Sequence, residues 1–318
     1  MVRGRASSPK IGLFQTGSHR IVDVPRCAVH HPQVNQAAAA LRNALRETGI
    51  APYADRPHAG RVRAMQAVVE RASGRVQLVL VTKDRTPEAS APLMRAMQAA
   101  LGERLHSLFW NGNPERTNVI LGPHWQRLLG PETVREEIAG VGVHFPPGAF
   151  GQSHLALADR LARWASAAVP DGARVVEFHA GCGALGLGWL ARVERAVLNE
   201  LSPAALAGLA AGLAERGEAE RARVRVLPGR AADHAEQIGG ADVVVVDPPR
   251  RGLEPELLDR LVRDPPGRLL YVSCGLDAFE RETRLLLGSG RLQLAELRVF
   301  DLFPWTEHVE TTARFERR

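Results

Sequence analysis

Four β-branched residues in a row, Val243-Val244-Val245-Val246, run straight into Asp247-Pro248-Pro249-Arg250-Arg251-Gly252. An unbroken apolar run of this kind fits a strand covered on both faces, the signature of a parallel sheet flanked by helices. Ligands of such sheets bind beyond the carboxyl ends of the strands, so Asp247 stands where chemistry is expected. The two prolines fix φ and remove backbone donors, which stiffens the exit and holds Asp247 in place. In isolation the same residues would read as an ordinary strand-end turn. The segments around them decide.

From about residue 150 the pattern alternates. A helix over 153–168 precedes strands over 174–178, 196–200, 224–227, 242–246 and 269–273, with helices between them. That is the rhythm of an open, mostly parallel sheet. The ending differs, because strand-like segments over 292–300 and 307–315 are joined by a short loop. A hairpin cannot be parallel, so at least one strand runs against the rest. Upstream, the spacing predicts a strand over 20–24, a helix over 32–47, strands over 62–69 and 76–81, a helix over 91–101, and short strands over 107–110 and 118–121. These make a small α+β domain with antiparallel pairing. The expected division is 1–148 for this domain and 149–318 for the α/β domain.

Composition bounds the function. A chain of 318 residues exceeds one typical domain. No apolar stretch is long enough for a membrane span, and no signal-peptide pattern follows the basic start, so a cytoplasmic protein is expected. Cys27, Cys182 and Cys274 lie far apart, which fits neither a disulfide framework nor a zinc or iron–sulfur site, and no metal is expected. Lys plus Arg number 41 against 35 Asp plus Glu, a net charge of +6 that favours a polyanionic partner but is weak evidence alone.

Glu177-Phe178-His179-Ala180-Gly181-Cys182-Gly183-Ala184-Leu185-Gly186 contains a formal G-x-G-x-x-G, and Glu200 ends the next strand. That arrangement suits a dinucleotide as well as S-adenosylmethionine (SAM). Glu177 favours SAM, because a carboxylate before the loop suits a ligand with a cationic amine better than a pyrophosphate. Tyr271-Val272-Ser273-Cys274-Gly275 closes the fifth strand. A cysteine is often a small buried hydrophobe, and that reading covers Cys27 and Cys182. Cys274 stands at a strand's carboxyl end near the Asp247 loop, where a thiolate can act as a nucleophile. Arg250 and Arg251 are its candidate cationic neighbours. In Asp301-Leu302-Phe303-Pro304-Trp305-Thr306-Glu307-His308-Val309-Glu310, period-two alternation would put His308 and Glu310 on one face and Glu307 on the other.

Five parallel strands followed by such a hairpin resemble the class I SAM methyltransferases: an α/β, Rossmann-like, mostly parallel seven-stranded sheet, here with a smaller N-terminal α+β domain. The order of motifs is narrower. Phe150-Gly151-Gln152, the glycine loop, D-P-P-R-R-G, S-C and F-P-x-T-x-H-x-E resemble the RNA uracil-5 methyltransferase family, as do Asn113–Gly122 and the region from Val22 to Cys27. The resemblance implies that Cys274 is the nucleophile and Glu310 the general base. It implies that the loop Asp247, Pro248, Pro249 and Arg250 holds the active-site side of cofactor and base. Gln152, Glu177, Gly181, Gly183, Glu200 and Asp247 then contact SAM, and the partner is tRNA or ribosomal RNA. A monomer is expected.

Departures are visible. The chain has no room for the β-barrel domain that begins many relatives, and too few cysteines for the cluster that some carry. His154 stands where the family has asparagine, and Gly275 and Leu276 replace an asparagine and a proline after the catalytic cysteine. These changes spare the chemical groups and fall on substrate positioning. Three other readings stay open from the sequence: an RNA cytosine-5 methyltransferase, a non-catalytic RNA-binding relative, and a dinucleotide-dependent oxidoreductase. Arg61, Arg63, Arg116 and Arg127 are candidates for phosphate contacts.

Overall fold

The computed structural model describes residues 1–318 as two compact units, Met1–Val134 and Arg135–Arg318. The second unit starts ahead of the rhythm change near residue 150.

In the first unit, β1 (Val2–Arg5), β2 (Ser8–Phe14) and β3 (Ile21–Asp23) form a three-stranded antiparallel sheet. The helix α1 (Pro32–Thr48) begins at His31, whose ring nitrogen accepts the Gln33 N–H, and stops at Gly49 with φ +67°. Four further strands, β4 (Val62–Glu70), β5 (Arg75–Thr82), β6 (Leu105–Gly112) and β7 (His124–Leu129), make a sheet in that order, with α2 (Ala91–Leu101) between β5 and β6. Leu41 and Leu45 of α1 and Leu93 and Met97 of α2 bury against Leu78, Leu80 and Leu108 of the sheet.

Two expectations fail here. The pairing is not all antiparallel, because α2 is long enough to return the chain and make β5 and β6 parallel. The strand expected over 118–121 is a loop. Its backbone is satisfied by side chains instead of a ladder: Asn113 Nδ2 donates to the Val119 and Ile120 carbonyls, and Asn111 Nδ2 to those of Gly122 and His124.

The second unit opens with the hairpin of β8 (Val134–Ile138) and β9 (Val141–Phe145), followed by α3 (Leu155–Ala168). His154 caps this helix, its Nδ1 accepting the Leu157 N–H at 3.3 Å. Then come β10 (Arg174–Phe178), β11 (Arg195–Glu200), α4 (Pro203–Ala214), α5 (Glu218–Arg221), β12 (Val224–Pro228), β13 (Val243–Val246), α6 (Pro255–Arg263), β14 (Arg268–Ser273), α7 (Leu276–Gly288), β15 (Leu292–Phe300) and β16 (Glu310–Arg317). They build one sheet in the order β12-β11-β10-β13-β14-β16-β15. The first five strands are mutually parallel, and β16 enters antiparallel between β14 and β15. The valine run of β13 is buried throughout, as its composition predicts. No helix is long and apolar enough to cross a membrane.

Candidate active site

Register decides what meets at the carboxyl edge of this sheet. Phe178 lies level with Asn199 on one side and Val246 on the other, so the strands end with His179, Glu200 and Asp247 abreast. Val246 is level with Tyr271, and Ser273 faces Thr311 in the antiparallel ladder. Continuing that ladder by one residue sets Cys274 opposite Glu310. Residues from five separated stretches of sequence thus converge on one edge.

The glycine loop closes on its neighbours. Gly181 and Gly183 have φ of +58° and +86°, a backbone that glycine adopts without strain. A Cβ on Gly186 would lie 2.3 Å from Glu177 Oε2. Glu200 braces the loop: Oε2 accepts the Gly181 N–H at 2.8 Å, and Oε1 accepts those of Leu201 and Ser202 at 2.8 and 2.6 Å. His179 holds a left-handed φ of +61° just before the loop, beside Glu254, and its burial lowers the ring's basicity.

The electrostatics are those of a carboxylate cluster short of cations. Glu177 is 1% exposed with Oε2 unpartnered, and burial together with the charges of Asp247 and Glu200 pushes its carboxyl well above the usual range. Asp247 moves the same way through burial, Glu310 and Glu200. Burial pushes the Glu310 carboxyl up to about 7, against the opposing pull of the Gln152 side chain and the Arg250 guanidinium. Burial and the neighbouring Glu310 and Asp247 raise the Cys274 thiol, while Arg250 lowers it. Cys274 remains partly accessible, whereas Cys182 is 3% exposed and its thiol is pushed up to about 12. Three carboxyls and a thiol with displaced ionisation at one sheet edge make this the candidate active site.

Sequence reasoning missed what ties the site together. Glu282 of α7 is 1% exposed; its Oε2 accepts the Tyr271 hydroxyl at 2.5 Å and the Leu253 N–H at 3.1 Å, and its Oε1 meets Arg281 at 2.7 Å. It joins β14, α7 and the end of the Asp247 loop. Its acidic type in an amphipathic helix gave no signal. Pro248 is buried in that loop, while Pro249 and Arg250 face solvent.

Two expectations need correction. β16 begins at Glu310, not at 307, so strand alternation does not separate Glu307 from Glu310; burial does, since Glu307 is exposed and Glu310 is 1% exposed. Thr306 causes the late start by accepting the His308 N–H and bonding the Phe303 carbonyl, which makes a turn of 303–308. Arg63 is no phosphate ligand: it is 4% exposed, with its guanidinium bound to the carbonyls of Asn113, Glu115 and Thr117.

Comparison with known proteins agrees with this geometry. The tRNA (uracil-5-)-methyltransferase family model matches residues 237–318. An uncharacterized RNA methyltransferase of Protochlamydia amoebophila is 34% identical over 99% of this chain and 84% of its own length. Another, of Gloeobacter violaceus, is 31% identical over 99% of this chain and 68% of its own. The crystal structure of Pyrococcus abyssi tRNA (uracil-54, C5)-methyltransferase in complex with S-adenosyl-L-homocysteine superposes with a TM-score of 0.80 at 25% identity, covering 95% of this chain and 71% of that one. With the motifs, the sheet and the convergent edge in agreement, the chain belongs to the RNA uracil-5 methyltransferase family of SAM-dependent enzymes.

Proposed function

We propose that the protein forms 5-methyluridine in a tRNA or ribosomal RNA of the cytoplasm, through a covalent adduct between Cys274 and C6 of the target uracil. The observation that carries this reading is the β14–β16 register, which leaves Cys274 and Glu310 as facing strand ends beside Asp247. A hydride-transfer enzyme has no use for that pair.

The residues fit SAM. Its ammonium and sulfonium are cations, and the edge offers Glu177, crowded by Asp247 and Glu200 with one buried oxygen unpartnered, and Asp247, crowded by Glu310 and Glu200. A cation entering there lowers the cost of both ionised forms. Glu200 follows the second strand, where ribose hydroxyls are held, and Gly181 leaves open space above its backbone. Gln152, Glu177, Gly181, Gly183, Glu200 and Asp247 would hold the cofactor, which when bound supplies the methyl group that C5 accepts.

The remaining chemistry belongs to the side chains. C5 of uracil is a weak nucleophile. Cys274 Sγ adds to C6 and its proton passes to solvent, so the C5=C6 electron pair shifts onto C5 and O4. The loop of Asp247, Pro248, Pro249 and Arg250 orients the base, its prolines keeping the backbone from adapting. Once C5 carries the methyl, Glu310 removes the C5 proton; the pair left behind re-forms C5=C6 and Sγ departs. A carboxyl at about 7 suits this task, being both available as a base and strong enough to accept the proton. Uracils in folded RNA are stacked, so the target is flipped out of its helix or loop. We assign residues 1–148 to substrate RNA and 149–318 to methyl transfer.

Incubation with total RNA and labelled SAM, then nucleoside mass spectrometry and mapping, tests this. Label in 5-methyluridine at a defined position supports it. Label confined to 5-methylcytidine, or no label, contradicts it.

A further inference from the structure

The loop from β15 to β16 carries a side chain that the chemistry above does not use. Trp305 is 92% exposed, more than any other large apolar residue, and its φ is +69°. A bulky residue in the left-handed region is strained, and packing does not explain it, because the indole is in water. The turn imposes the conformation. Thr306 donates from its N–H and its hydroxyl to the Phe303 carbonyl at 3.2 and 2.7 Å, and Leu302 is buried beneath. Strain is thus spent to hold an indole outward.

Its place in the fold says what it meets. Phe300 pairs with Glu310, and Ser273 with Thr311, so the turn spans the strand ends from which Cys274 emerges. Two other segments at this edge also leave large apolar groups uncovered: Phe150, 70% exposed and two residues before Gln152, and Leu276, 59% exposed and two residues after Cys274. Each of the three exposed side chains lies within five residues of a site residue: Trp305 before Glu310, Phe150 before Gln152 and Leu276 after Cys274. A flipped uridine leaves its neighbours with bare faces, and an indole stacks on any base.

We propose that Trp305 is a base-stacking platform, receiving an unpaired base beside the uridine that enters the site, with RNA as the substrate as proposed above. The family motif leaves this position free, so the platform distinguishes this chain's substrate contacts from those carried by the motif itself.

The test is fluorescence anisotropy with two labelled oligonucleotides: oligoadenosine with one central uridine, and the same strand with abasic sites flanking that uridine. Trp305→Ala is expected to weaken binding to the first by about tenfold or more, the scale of one lost base–aromatic stack. Trp305→Phe keeps most of the affinity. On the abasic strand, wild type and Trp305→Ala bind alike, a pattern that a merely structural loss would not produce. Equal affinity of Trp305→Ala and wild type for the first strand, or equal fold-losses on both strands, overturns the proposal. Binding is read without turnover, so a protein that stacks bases yet methylates no RNA keeps this inference and fails the reading above.

Discussion

Gly275 lies so close to Arg250 that a Cβ on it would sit 2.3 Å from the Arg250 carbonyl oxygen. The segment after Cys274 and the loop after Asp247 are therefore in backbone contact, and the asparagine usual in relatives does not fit this arrangement. Gly275→Ala must push the loops apart. Methyl transfer is expected to fall at least about tenfold, in line with small displacements of a reacting group. SAM affinity, shared with the proposed contacts of the glycine loop and Glu200, should fall less than the rate does. Steady-state rates and calorimetry on the purified variant read the two effects; unchanged rates would mean that the contact is incidental.

Glu282 predicts a stability effect. Glu282→Ala leaves the buried Tyr271 hydroxyl and the Leu253 N–H without acceptors. The expected loss is about 2–4 kcal/mol in urea unfolding, the cost of stranding two buried donors. Tyr271→Phe removes one bond while the Leu253 N–H and Arg281 still serve Glu282, and should cost about 1 kcal/mol. Equal losses would show that the carboxylate does not bridge the loop.

Much of the second unit was legible because its signals are local. The valine run declares a doubly covered strand, Asp247-Pro248-Pro249 its stiff exit, and the short link after Phe300 a hairpin. What escaped depends on tertiary contact. The bond from Tyr271 to Glu282 and the approach of Gly275 to Arg250 join segments whose spacing carries no period. Val119-Ile120-Leu121 has strand composition, yet the Asn113 amide takes the Val119 and Ile120 carbonyls. Val2-Arg3-Gly4-Arg5 has no apolar alternation, and forms β1 through ladder bonds to β2. The start of β16 was misplaced because Thr306, an ordinary strand residue by type, caps a turn.

Glu310 ties function to pH-dependent stability. Its folded carboxyl titrates near 7 against an ordinary 4.5, so between those values the folded chain holds a proton that the unfolded chain has released. Stability from this group is full below about pH 4.5 and is lost as pH rises through about 7, by up to about 3 kcal/mol. Urea midpoints should decline over that window in the wild type and decline less in Glu310→Gln. The same variant should accumulate methylated RNA bound to protein, because elimination needs the base and the earlier steps do not. Glu307→Gln should turn over normally. A trapped complex in Glu307→Gln alone would reverse the assignment.

Glu200 gives a test of cofactor binding. Its carboxylate orders Gly181 and the start of α4 and lies where a ribose would be held. Glu200→Ala is expected to weaken SAM binding by about 1–3 kcal/mol in calorimetry, through lost charge-assisted bonds. Tight NADH binding without SAM binding would contradict the cofactor assignment.

The covalent role of Cys274 admits the most direct measurement. RNA carrying 5-fluorouridine at the target position, incubated with SAM, cannot release the enzyme because fluorine does not leave C5 as a cation. The account predicts a protein–RNA complex that survives denaturing electrophoresis, maps to Cys274 by peptide mass spectrometry, disappears in Cys274→Ser and persists in Cys27→Ser and Cys182→Ser. An adduct on Cys27 or Cys182, or methylation of ordinary RNA by Cys274→Ser at the wild-type rate, would contradict it.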